Sequence, residues 1–429
     1  MKKYWLGALA VSGLLALTGC SDTLSLPDPT SLIRPPRLAA DKEVLKNAID
    51  VKLPAGATEV RTLGSEDTST IHDIDLDGDG VNEAVVFYKS PDASVVKGMI
   101  LQKQGNTWVN TLTVDGEGPV LDKLEFRDVT GDGHLDIVAG YGLEENAPNS
   151  FNNSLVIYSY TGTTVSSPIV KVPYAEFGVA DFNGDGKEEL ALINFDANTG
   201  TEIKVYQYRE NSLQELSSLT LPNKTLTSYY NVAAGKVSEA VNGLVLDMTI
   251  GTSSYTQLVV MKNDMLESVL GEDAAFKDGL VKSEDVNGDG IIEIGTLRKP
   301  YGWSYFEHKE DVPLLTIYSR WDGENGLKQV REQYRDAAGR YVLPPFPAEL
   351  QGNVTLDTVS IVDKYLKFVR IDTREWLEEV RFFTSAQWQS ESENNGWIKL
   401  YGTNSLVIAY RVNPDGDLAP GKSGIPAAN

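Results

Sequence analysis

A single cysteine, three histidines and a deficit of basic residues set the first limits on this 429-residue chain. Cys20 has no second cysteine to pair with, so no disulfide framework supports the fold. His72, His134 and His308 form neither an HExxH zinc helix nor a recognisable triad, and the sequence holds no GxSxG elbow. His72 reads as a strand residue and His308 as part of a charged loop. The 38 Lys and Arg residues stand against 61 Asp and Glu, a formal charge of −23, which argues against nucleic acid or anionic lipid as a partner because phosphate attraction needs a basic face. Long apolar runs are scarce too. One covers residues 4–17, follows Lys2 and Lys3, and closes on Leu17-Thr18-Gly19-Cys20. It is short for a span of about 20 residues and its flank is a processing site, so residues 1–19 are expected to be a signal peptide. Residues 20–40 follow as a tether, in which Pro27, Pro29, Pro35 and Pro36 discourage helix.

What the chain does have is a repeated acidic loop. It reads DLDGDGVNE at 75–83, DVTGDGHLD at 128–136, DFNGDGKEE at 181–189 and DVNGDGIIE at 285–293. From Asp75 to Asp128 is 53 residues, from Asp128 to Asp181 is 53 again, and from Asp181 to Asp285 is 104. Oxygen recurs at positions 1, 3, 5 and 9 of each loop. These are Asp75, Asp77, Asp79 and Glu83; Asp128, Thr130, Asp132 and Asp136; Asp181, Asn183, Asp185 and Glu189; and Asp285, Asn287, Asp289 and Glu293. Ca²⁺ is a hard cation that takes about six to eight oxygens, and alternate side chains on a tight turn converge on one point. The carbonyls at position 7, of Val81, His134, Lys187 and Ile291, are expected to add a further ligand. Glycine at position 6 permits a positive φ. Thr130, in place of a carboxylate or amide, should weaken the second site. Four Ca²⁺ sites are therefore expected.

An EF-hand begins the same way but needs a bidentate Glu at position 12 and flanking helices. Position 12 is Val86, Ala139, Leu192 and Thr296, and each loop is followed by an apolar β-prone run such as AVVFY or LALINF. Strands, not helices, leave these turns. A sequence unit that repeats with its cation site points to a propeller built from supersecondary repeats. The 104-residue gap requires a fifth unit near residue 233. A degenerate one is there, with the strands GLVLDMTIG and QLVVMK and no carboxylate loop.

The pattern DxDxDGxx[DE] at this interval resembles the FG-GAP, or VCBS-type, repeat of integrin α-chain propellers and bacterial surface proteins. The third repeat carries a literal Phe177-Gly178 ahead of its loop. The resemblance covers residues 55–340 and implies four-stranded antiparallel blades with calcium held between the first two strands on one face. It also implies that ligands are met on other loops. The LTGC tetrapeptide is similar to the bacterial lipobox, which implies lipidation of Cys20 and display on the extracytoplasmic face of the bacterial cell membrane.

The expected fold is therefore an all-β propeller over residues 41–340, with five repeats legible and five to seven blades allowed. Residues 51–53 and 59–61 are candidates for a strand sealing the ring. Residues 341–413 are expected to form an atypical last blade or a small β-rich or α+β module, and 414–429 a disordered tail. Gly416 to Ser423 spells GxxxxGK[ST], but no helix can follow it, so no nucleotide site is expected. Five of seven tryptophans (Trp303, Trp321, Trp376, Trp388 and Trp397) fall in the last third, where core packing is the ordinary fate and a sugar-stacking platform the sharper one. The functional expectation is a calcium-stabilised envelope module that binds a protein or wall glycan without catalysis. An exported hydrolase or lyase working in the propeller funnel is the alternative.

Overall fold

The computed structural model describes residues 40–63, 69–143, 153–223, 225–305, 312–324, 326–391 and 396–419. The expected signal peptide, Cys20, most of the tether, His308 and residues 420–429 lie outside them. Among the described residues, no helix is long and apolar enough to cross a membrane. The chain divides into two units after Lys52. In the first, Ala40–Lys52 is an α-helix, so Val51 and Lys52 end a helix where a strand was expected.

The second unit is a succession of six antiparallel sheets, a β-propeller-like fold. In the first sheet Glu83–Lys89, Lys97–Gln104 and Thr107–Asp115 pair in turn, and Thr58–Val60 and Ile71–Ile74 share the open edge of Glu83–Lys89. The second sheet comprises Val120–Arg127, Asp136–Gly142, Asn153–Tyr158 and Val170–Tyr174. The third comprises Glu176–Ala180, Glu189–Asp196, Gly200–Arg209 and Ser212–Leu221. The fourth, which is the degenerate repeat, holds Leu226–Lys236, Asn242–Ile250, Ser253–Lys262 and Met265–Ser268. The fifth holds Ile294–Arg298, Leu315–Trp321 and Leu327–Tyr334. The sixth runs Val354–Leu356, Tyr365–Arg370, Trp376–Thr384, Leu406–Val412, Ile398–Gly402, with its last two strands out of chain order.

Two expectations are corrected here. Glu59 and Val60 pair with Tyr88 and Phe87 inside the first sheet, so they do not seal a ring against a late strand. Residues 414–419 are not a disordered tail: Asp417 pairs with Arg370 at 2.5 Å and Leu418 is buried in the last inter-sheet core. That core also contains Trp303, Leu315 and Tyr334 of the fifth unit with Leu366, Phe368 and Ile408 of the sixth sheet. The C-terminal residues thus bury their apolar side against the preceding sheet.

The burial pattern follows from stacking. Glu83–Lys89 and Asp136–Gly142 each bury six residues in a row, because sheets cover both faces of an inner strand. Ser212–Leu221, an outer strand, is largely exposed. One core joins the first and second sheets through Phe87, Ile100, Tyr141 and Tyr158. The next joins the second and third through Val138, Leu155, Tyr174 and Phe177, and another the third and fourth through Ile193, Val205, Leu244 and Leu246. The Phe177-Gly178 pair works at two such contacts. Phe177 is wholly buried edge-on to Tyr174, with ring centres 5.3 Å apart. Gly178 lets the fourth sheet approach, since a Cβ there would stand 2.6 Å from that of Ala234.

Trp303, Trp321 and Trp397 are buried, and the Trp303 indole donates to the Leu356 carbonyl at 2.9 Å. Trp388, on the helix Ser385–Glu391, packs with Phe383 and Trp397 on the outer side of the sixth sheet. Packing, not a stacking platform, accounts for these aromatics.

Candidate metal centres

Each acidic loop leads directly into a strand, Glu83–Lys89, Asp136–Gly142, Glu189–Asp196 or Ile294–Arg298, and its own first residue shapes it. Asp75 accepts the N–H of Gly78 at 2.8 Å and of Gly80 at 3.0 Å. Asp79 accepts the N–H of Val81 at 2.7 Å. The other loops repeat the last of these contacts: Asp132 with His134 at 2.9 Å, Asp185 with Lys187 at 2.9 Å and Asp289 with Ile291 at 3.0 Å. Glycines at positions 4 and 6 both sit at positive φ, at 73° and 83° in the first loop, so position 4 matters as much as position 6. Such a turn draws its carboxylates inward before any cation arrives.

The last ligand is different in kind. Glu83, Asp136, Glu189 and Glu293 are wholly buried; the first three open the strand that follows their loop and Glu293 stands one residue before Ile294–Arg298. Each accepts a backbone N–H from its own loop: Leu76 at 3.0 Å, Thr130 at 2.8 Å, Phe182 at 2.8 Å and Val286 at 3.1 Å. Burial pushes Glu83 and Glu189 up to about 7 and Asp136 up to about 6, with the neighbouring loop aspartates adding repulsion. Buried acids with raised proton affinity beside further carboxylates are groups that a divalent cation would stabilise.

The loops do not gather their ligands equally. Asp75, Asp77 and Glu83 bring one oxygen each within 4.8 Å of one another, and so do Asp181, Asp185 and Glu189. These acidic clusters can bind a metal ion. Glu83 Oε1 is buried without a hydrogen-bond partner, which fits an oxygen aimed at a cation. In the second loop the Thr130 hydroxyl leans on Asp136 at 3.4 Å instead of adding a charge. In the third, Asn183 Nδ2 donates to Glu189 at 3.1 Å, and Gln207 Nε2 reaches both Asp185 and Glu189 at 2.9 Å. Gln207 Oε1 is buried without a partner, so turning its amide would offer a further oxygen to that cluster. In the fourth, the Arg320 guanidinium pairs with Asp289 and sits 3.0 Å from Glu293.

Gln207 and Arg320 were not legible as site residues. Each stands directly across the strand pair from the last ligand of its loop, one step beyond the pairs Leu190 with Tyr206 and Ile294 with Ser319. The intervening hairpins differ in length, so no fixed sequence spacing marks the position. Strand register is the signal that finds it.

Beside the fourth loop, whose Asp285 and Val286 help to line it, a cleft of about 630 Å³ opens between the fifth and sixth sheets. Glu284, Asp285, Arg331, Gln333 and Arg335 supply its polar lining and Tyr410 comes from the sixth sheet. Gln333 Oε1 and Arg331 Nε are buried without hydrogen-bond partners among the described residues. The Tyr318 hydroxyl donates to Glu284 at 3.2 Å. His72 packs on Phe126, 5.6 Å between ring centres, in keeping with a strand residue.

Comparison with protein-family models gives no match, and comparison with curated proteins gives none either. Solved structures do align. A protein from Lactobacillus plantarum is 10% identical over 76% of this chain and 84% of its own, with a TM-score of 0.32. Rhamnogalacturonan lyase YesW is 11% identical over 75% of this chain and 71% of its own, with a TM-score of 0.34. A rhamnogalacturonan lyase from Bacillus licheniformis is 13% identical over 73% and 72%, with a TM-score of 0.32. At these scores the likeness carries no functional argument, and the propeller-like architecture rests on the six sheets themselves.

Proposed function

We propose that this protein is a lipid-anchored, calcium-stabilised propeller displayed on the extracytoplasmic face of a bacterial membrane, where it binds a protein or wall glycan. The binding role rests on the cleft between the fifth and sixth sheets, whose Arg331 and Gln333 hold buried polar atoms that no neighbour satisfies. Calcium is assigned to the loops for the hardness of their oxygen donors, and the FG-GAP resemblance agrees with it. On this reading the ions serve the scaffold, since each loop leads directly into a strand of the sheet core.

The test is a glycan array and an envelope pull-down with wild type and the R331A/R335A pair. Retention by the wild type and loss by the variant, with unchanged melting, support binding in the cleft; equal retention overturns it. A second reading, an exported hydrolase or lyase, is favoured by one observation: Glu284 and Asp285 share that cleft with two arginines. Turnover of a wall polysaccharide that disappears in Glu284→Gln would establish it.

A further inference from the structure

The third and fourth loops present the same ligand types at every side-chain position: Asp181, Asn183, Asp185 and Glu189 against Asp285, Asn287, Asp289 and Glu293. Their backbones agree as well. Asp181 accepts the N–H groups of Gly184 at 2.8 Å and Gly186 at 3.0 Å, and Asp285 accepts those of Gly288 and Gly290, both at 2.8 Å. The difference is the residue across the strand pair. It is the neutral Gln207 in the third sheet, where the Arg209 guanidinium comes to 3.9 Å from Asp185, and in the fifth it is Arg320, which pairs with Asp289 and lies 3.0 Å from Glu293.

We propose that Arg320 is the built-in cation of the fourth loop, so that this loop closes on a guanidinium and takes no calcium. The fourfold calcium expectation is thereby reduced to three. Arg320 contacts Asp289 and Glu293, the two carboxylates that would otherwise clamp the ion. A calcium at about 2.4 Å from the same oxygens would share their immediate surroundings with a permanent positive charge. Like charges at such a distance repel strongly in a half-buried site, and the guanidinium cannot discharge itself by losing a proton. The Arg320 side chain is only 21% exposed, so it does not swing freely away. The loop is also fixed from its other side: Ile292 N–H donates to the Lys236 carbonyl at 2.8 Å in the metal-free fourth sheet. Two neighbouring sheets thus manage without an ion, one by losing its loop and one by filling it.

The inference rests on the calcium reading for the other loops only as its reference count. Native mass spectrometry of the purified full chain in detergent, with calcium alone as the probe, counts the ions in wild type, D185N, D289N and R320Q. D185N should hold one ion fewer than wild type, D289N the same number, and R320Q one more. Melting followed in EGTA is the second readout. R320Q should melt several degrees below wild type there and recover with calcium. Loss of an ion in D289N, or a folded R320Q with no extra ion and unchanged melting in EGTA, overturns the proposal. A wild type that binds no calcium at all would remove the calcium reading of the other loops. The role of Arg320 would still be decided by R320Q in EGTA, where a fall in melting upholds it and none refutes it.

Discussion

The third and fourth loops carry the same side chains at their ligand positions, yet their buried glutamates are neutralised by different means. Glu189 meets amide donors and is pushed up to about 7, the condition of a group that gains from an added cation. Glu293 meets Arg320 at 3.0 Å. The fourth sheet takes the second course in another place. Asp247 is wholly buried and receives Lys277 Nζ at 2.6 Å, and that ammonium also reaches the Val281 carbonyl at 2.7 Å. The sixth sheet takes a third course: Glu378 has no cation beside it among the described residues, and burial raises it to about 8, which favours the protonated acid. Burying a carboxylate demands a neutralising partner, and a borrowed ion, a tethered cation or a proton each suffices. The sheets differ in which of these their residues allow.

This contrast can be broken experimentally, and the largest effect should come from the borrowed ions. EGTA is expected to lower the melting temperature sharply, since each occupied site at a hundredfold excess over Kd contributes about 2.7 kcal/mol. A calorimetric scan with and without Ca²⁺ measures it, and an unchanged transition would remove calcium from the loops. Lys277→Ala should cost about 3–5 kcal/mol because it strands a buried charge on Asp247, and added calcium should not restore it. Denaturant titration in both buffers gives the value and its calcium independence.

The proton-neutralised case answers to pH. Glu378 has its folded affinity raised from 4.5 to about 8, so the folded chain holds a proton that the unfolded chain has released between those values. Its contribution to stability is full below about 4.5 and is lost as pH rises toward 8. Glu378→Gln should flatten that part of the stability profile, read by urea midpoints from pH 5 to 9. The smallest change in stability, and the sharpest in specificity, should come from Gln207→Arg, which gives the third loop the fourth loop's cation. It should remove one bound calcium while leaving the EGTA melting temperature unchanged or higher. Retention of that ion would show that the residue across the strand pair does not decide occupancy.

Much of the scaffold could be read without coordinates. Apolar runs after each DGxx[DE] turn foretold strands, and the 104-residue gap foretold the sheet that contains Asn242–Ile250. Both are local signals, set by turn chemistry and by alternation or continuity of apolar residues. The first strand was harder. Thr58–Val60 and Ile71–Ile74 line up along one edge of the same partner, and nothing in either segment names that partner. Of the C-terminal tryptophans, Trp303, Trp321 and Trp397 are buried as expected and Trp376 and Trp388 only half-buried, and nothing in the sequence said against what they pack.

The identity of the loops, their glycines and their spacing is decided in the sequence, because a tight turn that converges oxygens needs only nine consecutive residues. Which side chain faces a loop's last ligand is decided in the tertiary structure. Gln207 and Arg320 lie 22 and 31 residues beyond the aspartates they contact, on strands whose register alone brings them there. A ligand set is local, but the charge that competes with its ion arrives from across the sheet.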